Sequence, residues 1–197
     1  MIKIAITGNI GSGKSYVSLL FKELGIPVFD SDREAKLLYN RPEIRQKMVE
    51  RFGTDIYQED GSLDRRMMAS KLFADLCALG YVESVLYPVL NAWFDEWADQ
   101  QTAPYVLYES ALIFEKHLEG MFDAVIVVAA SEDVRIRRVM TRDCCTEEQV
   151  RARMALQLPQ SEKVTKADYV IVHEADDEDV FLKEQIQRVH TELVNRL

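Results

Sequence analysis

The stretch Gly8-Asn9-Ile10-Gly11-Ser12-Gly13-Lys14-Ser15 follows the apolar residues 2–6 and decides the fold class. It fits the pattern Gly-x-x-x-x-Gly-Lys-Ser/Thr, whose glycines let successive backbone amides turn inward around a phosphate chain. The helix that follows such a loop directs the positive end of its dipole at the same point. The sequence therefore predicts a strand, a phosphate-binding loop and a helix in succession.

The polar residues of this stretch have defined roles in such loops. We expect the Lys14 ammonium to neutralise the outer phosphates of a nucleotide and the Ser15 hydroxyl to ligate Mg²⁺. The loop itself, with Gly8, Gly11, Ser12 and Gly13, would surround the phosphates. The motif thus predicts a nucleotide and a metal, but it carries no information about the nucleotide base.

Length, composition and charge bound the class of protein. The 197 residues are 48% hydrophobic and can bury one substantial core, and no apolar run approaches the ~20 residues that a membrane span needs. The chain starts without a signal pattern, and its three cysteines lack metal-ligand spacing, so we expect a cytoplasmic protein with reduced thiols. A net charge of −9 argues against a nucleic-acid partner.

The alternation of strand and helix patterns predicts an α/β fold with a five-stranded parallel sheet, of the kind found in phosphate-loop nucleoside triphosphate hydrolases. Predicted strands cover residues 2–7, 28–29, 105–108, 124–129 and 169–172. Predicted helices cover residues 14–24, 34–39, 42–52, 63–77, 81–98, 132–141, 146–158 and about 177–195.

We expect a single domain spanning residues 1–197, made of a core, an insertion and a lid. No strand pattern lies between residues 39 and 103, so this part is interpreted as a helical insertion. The core would comprise residues 1–38, 104–140 and 165–197, and the lid residues 141–164.

In parallel sheets, ligands collect beyond the carboxyl ends of the strands, so the residues there are candidates for function. Asp30 and Asp32 follow the second strand; in an extended segment their side chains would point to the same side, towards the phosphates. One of them could accept a proton from an attacking hydroxyl or hold Mg²⁺ through water. The alternative is an ordinary turn or helix cap.

Glu109 ends the third strand, where many phosphate-loop proteins place the acid that organises Mg²⁺. We therefore interpret Glu109 as a candidate metal residue. The alternative is that its carboxylate caps a helix over residues 110–117.

Arg138 and Arg142 are one helical turn apart and would share a helix face. A guanidinium suits a transferring phosphoryl group, and a hinged segment that carries it could close over the nucleotide. The alternative is a basic helix paired with Glu147 and Glu148.

Thr165-Lys166-Ala167-Asp168 imitates the guanine-reading motif of GTPases, but it precedes a predicted strand instead of following one. No Asp-x-x-Gly switch motif follows an earlier strand either. These two observations argue against a regulatory GTPase.

Several blocks resemble dephospho-CoA kinases, in the same order and over nearly the whole chain. They are the phosphate loop, Asp30-Ser31-Asp32, Asp60-Gly61-Ser62-Leu63-Asp64-Arg65, Leu112-Ile113-Phe114-Glu115, Arg142-Asp143 and Gln157. The resemblance implies transfer of the γ-phosphate of ATP to the ribose 3′-hydroxyl of dephospho-CoA, the last step of coenzyme A synthesis. This small molecule would be the partner, and no apolar stripe predicts an oligomeric state.

The resemblance also implies roles for residues that the loop motif alone does not assign. Asp32 would be the catalytic base, Gly11 to Tyr16 the ATP loop, and Arg142 a lid residue. Arg65 and Glu115 would bind the acceptor, with Asp32.

The chain departs from the family pattern in three places: Tyr16 replaces a threonine, Tyr87 a histidine before proline, and Ala111 a proline. Two other functions remain open. One is a kinase of a nucleoside monophosphate or another small molecule, and the other is a nucleotide-binding switch module.

Overall fold

The computed structural model describes residues 1–75, 77–174 and 179–196 of the chain. These residues form two compact units. One contains Met1–Asp30 with Gln101–Leu197, and the other contains Ser31–Gln100.

The first unit is built on a parallel sheet of five strands in the order β2-β3-β1-β4-β5. The strands are β1 (Ile2–Thr7), β2 (Val28–Asp30), β3 (Tyr105–Glu109), β4 (Ala124–Ala129) and β5 (Tyr169–Val172). The predicted five-stranded parallel sheet is confirmed. Every residue of β3 and of β4 is buried, as expected for parallel strands covered on both faces.

Nine α-helices are present in the described parts of the chain. They are α1 (Lys14–Glu23), α2 (Ser31–Leu38), α3 (Pro42–Phe52), α4 (Arg65–Ala74), α5 (Ala78–Asp99), α6 (Glu132–Asp143), α7 (Glu147–Met154), α8 (Gln160–Lys166) and α9 (Asp179–Asn195). The predicted start of the last helix, at residue 177, lies outside the described residues. Within these ranges, no helix is both long and apolar enough to cross a membrane.

The core of the first unit joins the sheet to α1 and α9. Burial of its apolar side chains supplies the main favourable term of folding. Its fully buried members include Ile4, Ile6, Phe21, Leu107, Ile126, Val128 and Ile171.

The second unit is helical, apart from an isolated bridge between Tyr57 and Leu63. Its longest helix, α5, places a buried side chain at every fourth position, as an amphipathic helix requires. These side chains belong to Ala78, Val82, Leu86, Leu90, Phe94 and Ala98. The expectation of a strand-free segment between β2 and β3 is thereby met in the described residues.

Two local expectations are wrong. The segment after β2 is not extended, because α2 begins at Ser31 and Asp32 lies in its first turn. The helix expected over residues 146–158 ends at Met154, and a separate helix follows Pro159. Proline disfavours a helical conformation in the residue before it, so the chain leaves the helix ahead of this position.

Candidate active site

The loop between β1 and α1 presents free backbone donors at the start of a helix. Gly13 caps α1 in a left-handed conformation without a side-chain hydrogen bond, and the first turn of α1 has no acidic residue. Within the described residues, the hydrogen bonds of the loop include none donated by the backbone amides of Gly11, Gly13, Lys14 or Ser15. Such amides at a helix N-terminus form an anion site, so the loop fits a phosphate chain.

Three polar side chains of the loop, α1 and β3 meet at one carboxylate oxygen. Lys14 Nζ lies 2.6 Å from Glu109 Oε1, and the Ser15 hydroxyl donates to the same oxygen at 2.7 Å. Strand register brings them together, because β3 pairs with β1 and places Glu109 opposite Ile6. The sheet therefore positions an acid directly beside the loop's lysine and serine.

Glu109 is buried, with 6% of its surface exposed. Burial by itself would raise the pKa of Glu109, but the charge of Lys14 and the hydrogen bonds from Lys14 and Ser15 lower it below its usual value. Glu109 is thus held as a carboxylate. The alternative of a cap on a helix over residues 110–117 is wrong, because this segment forms turns and no helix.

Ser15 and Glu109 are a suitable pair for Mg²⁺. This ion keeps several waters and is usually held by one or two protein oxygens together with substrate phosphates. The described residues contain no group of three or more His, Cys, Asp or Glu side chains that could hold a metal alone. The oxygen chemistry of this pair therefore fits an ion that arrives with a nucleotide.

Arg138 and Arg142 of α6 have different surroundings. Arg138 Nη1 donates to the carbonyls of Gly11, Ser12 and His173, at 3.4, 3.3 and 3.0 Å. Arg138 thus stabilises the backbone of the loop by hydrogen bonds to its carbonyls.

The Arg142 guanidinium, by contrast, forms a two-pronged pair with Asp143, and its side chain is 62% exposed. Asp143 also accepts from Arg153 at 2.7 Å. The alternative interpretation expected Glu147 to pair with these arginines. Glu147 Oε1 instead accepts from Arg151 Nε at 2.8 Å. Arg142 is therefore accessible to an anionic ligand.

His173 is a site residue that sequence reasoning missed. It follows β5, and its ring stacks on Tyr16 with 5.5 Å between ring centroids. The rule that ligands collect beyond strand ends applies to β5 as much as to the other strands, and it would have selected His173.

Glu115 lies inside the first unit. Its carboxylate pairs with Lys163 at 2.6 Å and accepts from the Leu158 amide at 3.1 Å.

Asp32 and Arg65 lie in the second unit. Arg65 is the first residue of α4 and is exposed, while Asp64 before it caps the helix by accepting from the amides of Arg66 and Met67. Asp32 is exposed and interacts electrostatically with Tyr87 of α5. Burial, together with the charges of Glu83 and Asp32, raises the pKa of Tyr87 to about 12, so its phenol stays protonated.

Gly11 gives a direct test of the loop geometry. It has φ +81°, and a Cβ there would lie 2.5 Å from the carbonyl oxygen of Arg135. Gly25 has the same φ of +81° but nothing within 4 Å, which makes it the matched control. We expect Gly25→Ala to cost about 1 kcal/mol from backbone strain alone, and Gly11→Ala about 2 kcal/mol more from the backbone clash, measured by urea unfolding. Equal losses would contradict the close packing of the loop on α6.

Comparisons with known proteins agree with this geometry. The family model described as dephospho-CoA kinase matches residues 2–179. A dephospho-CoA kinase of Syntrophotalea carbinolica is 36% identical over 177 residues, which cover 87% of this chain and 83% of that protein.

Two solved structures extend the likeness to the fold. A crystal structure from Thermus thermophilus has a TM-score of 0.83 at 34% identity, covering 100% of this chain and 97% of that one. A dephospho-CoA kinase from Campylobacter jejuni has a TM-score of 0.72 at 21% identity, covering 98% of this chain and 97% of that one. The phosphate loop, the buried acid beside it and the family match over most of the sequence lead to one conclusion: the chain belongs to the dephospho-CoA kinase family.

Proposed function

We propose that this protein transfers the γ-phosphate of ATP to the ribose 3′-hydroxyl of dephospho-CoA, yielding coenzyme A and ADP. The observation that carries the proposal is the convergence of Lys14, Ser15 and Glu109 beside a loop with free amides, in a chain of this family. These groups match the needs of phosphoryl transfer, which depends on positioning and charge stabilisation.

The loop residues and the arginines of α6 handle the triphosphate. The loop from Gly8 to Ser15 surrounds it with its free amides, Lys14 stabilises its β- and γ-oxygens, and Arg142 supplies a guanidinium from the lid. Arg138 keeps the carbonyls of Gly11 and Ser12 occupied, which leaves the loop's amides directed at the ligand. Tyr16, stacked on His173, completes the nucleotide-binding set.

Mg²⁺ is assigned to Ser15 and Glu109. When bound, the ion neutralises charge on the phosphates. The chain's own contribution is to keep Glu109 ionised: the Lys14 ammonium and the Ser15 hydroxyl both stabilise its carboxylate. This carboxylate is thus available to hold the ion, directly or through water.

On the acceptor side, Asp32 is assigned as the base that orients and deprotonates the 3′-hydroxyl. Residues 39–103 form the acceptor-binding insertion in this proposal, with Arg65 at its surface for an anionic group of the acceptor. Tyr87 stands where the family has histidine, and its protonated phenol supplies a hydrogen-bond donor beside Asp32. Residues 1–38, 104–140 and 165–197 are the core of the single domain, and residues 141–164 its lid.

The charge and the cysteines of the chain support a cellular compartment and a class of partner for the reaction. Cys77, Cys144 and Cys145 are free thiols, which fits a reducing cytoplasm. A net charge of −9 disfavours nucleic acid as a partner, so we propose an enzyme that acts on small molecules away from nucleic acids and membranes.

An acceptor panel tests the proposed function. Purified protein is incubated with ATP, Mg²⁺ and either dephospho-CoA, a nucleoside monophosphate or no acceptor, and ADP release is measured. We expect release with dephospho-CoA alone, and coenzyme A as the product by mass spectrometry. Release driven only by a nucleoside monophosphate would establish the alternative kinase, and release with no acceptor added or with none of the panel would count against acceptor phosphorylation.

A further inference from the structure

The phosphate loop is tied to the segment between α7 and α8. The Ile10 amide donates to Gln157 Oε1 at 2.8 Å, and the Asn9 side chain donates to the Leu158 carbonyl at 2.8 Å. Two adjacent loop residues are therefore held by two adjacent residues almost 150 positions away in sequence. Asn9 is buried, with 5% of its surface exposed, while Gln157 and Leu158 are half-buried.

The anchoring segment is itself fixed by a buried ion pair. The Leu158 amide donates to Glu115 Oε1 at 3.1 Å, and Lys163 Nζ lies 2.6 Å from the same oxygen. Lys163 also donates to the Ala111 carbonyl at 3.0 Å, and its side chain is completely buried. The ammonium therefore connects the segment that follows β3 to the segment that holds the loop.

A buried ion pair is a costly way to gain stability, because desolvation offsets most of the attraction between the charges. Burial lowers the pKa of Lys163, and the Glu115 carboxylate opposes this shift. The same helix carries an exposed pair, Lys166 with Glu162, at 2.7 Å. The two pairs share their chemistry, but only the buried one is linked to the phosphate loop.

We propose that Gln157 and the Lys163–Glu115 pair are positioning residues for nucleotide binding. They act in series: the ion pair fixes residues 157–158, and these fix Asn9 and Ile10 so that the following amides face the phosphates. The inference rests on the proposed function for the identity of the nucleotide, and it deepens that function by assigning Glu115 to the loop's support instead of to the acceptor.

Gln157→Met tests the final link. Methionine keeps the length of the side chain but cannot accept from the Ile10 amide as the Gln157 carbonyl does. Since one hydrogen bond of this kind is worth about a factor of five in an equilibrium, we expect the dissociation constant of MgATP to rise about fivefold. Calorimetric titration with MgATP and no acceptor measures it, and the KM for dephospho-CoA should stay within about twofold of the parental value.

The ion pair is tested by replacing both charges at once. Lys163→Met alone would leave a buried carboxylate without its counter-charge and could prevent folding. Lys163→Met combined with Glu115→Gln removes both charges and keeps an oxygen that can accept from Leu158. We expect this variant to weaken MgATP binding by about threefold to tenfold, while Lys166→Met with Glu162→Gln, the matched exposed control, binds as the parental protein does.

Combining Gln157→Met with the buried-pair variant shows whether the ion pair acts on the loop through Gln157 or independently of it. Members of one network are non-additive, so we expect the combined loss to be no greater than the larger separate loss. Parental affinity in Gln157→Met, multiplied losses in the combination, or an equal loss in the exposed control would each overturn the inference. Because the titration contains no acceptor, a failure of dephospho-CoA as substrate would refute the proposed function without altering this result.

Discussion

Asp32→Asn is expected to bind MgATP with parental affinity and to turn over about 10²- to 10⁴-fold more slowly, the range that a positioned general base contributes. Asparagine preserves the size of the side chain but cannot take a proton from the acceptor hydroxyl. Steady-state kcat with saturating ATP and dephospho-CoA, together with calorimetric binding of MgATP, separates the two effects. The small structural cost of the change is expected because Asp32 is exposed in the first turn of α2.

Glu34→Gln is the matched control for this prediction. Glu34 is the other acidic residue in the first turn of α2, so its replacement removes the same charge from the same helix end. We expect parental turnover from this variant. Full activity in Asp32→Asn, or an equal fall in both variants, would contradict the assignment of Asp32 as the base.

Lys14→Ala is expected to lower kcat/KM for ATP on the order of 10³-fold, because it removes the cation that stabilises the outer phosphates. It also leaves Glu109 buried without its ammonium. Breaking a buried pair typically costs about 3–5 kcal/mol of folding free energy, although the Ser15 hydroxyl still donates to the carboxylate here. Kinetics and urea unfolding at neutral pH measure the two losses.

The pH dependence of this instability follows from the pKa of Glu109. Since the folded protein lowers that pKa, the ionised carboxylate stabilises the fold above its unfolded-state pKa, and this stability is lost as the pH falls through the folded-state value. The stability difference between the parental protein and Lys14→Ala should therefore shrink in acid.

Lys14→Met with Glu109→Gln separates catalysis from folding. This double variant carries no unpaired charge, so we expect it to regain most of the stability at neutral pH and none of the activity. Recovery of ATP turnover would show that Lys14 serves the fold alone.

The sheet was predictable because each strand is a short apolar run, and the phosphate loop because its glycines and lysine have fixed spacing. Glu109 was selected as the acid at a strand end, but its contact with Lys14 and Ser15 depends on β3 lying next to β1. Strand order is a property of the tertiary structure, and the apolar runs that predict strands do not encode it. The same limit explains why the ion pair of Glu115 with Lys163 was not foreseen.

Helix geometry explains the other differences. Asp32 was expected in an extended segment, whereas Ser31 begins a helix and carries Asp32 into its first turn. Arg138 and Arg142 have the spacing of one helical turn, but Arg138 braces the loop and Arg142 is exposed beside Asp143. Spacing predicts which residues can share a face, while the partner of each side chain depends on what the rest of the chain packs there.

The contact of Lys14 with Glu109, at 2.6 Å, gives the loop's cation a counter-ion from within the chain. A triphosphate must therefore compete with the Glu109 carboxylate for the Lys14 ammonium. Binding replaces one anion by another, so the loss of the contact with Glu109 offsets part of the attraction between Lys14 and the phosphates. The same carboxylate can return to the ammonium as the phosphates depart.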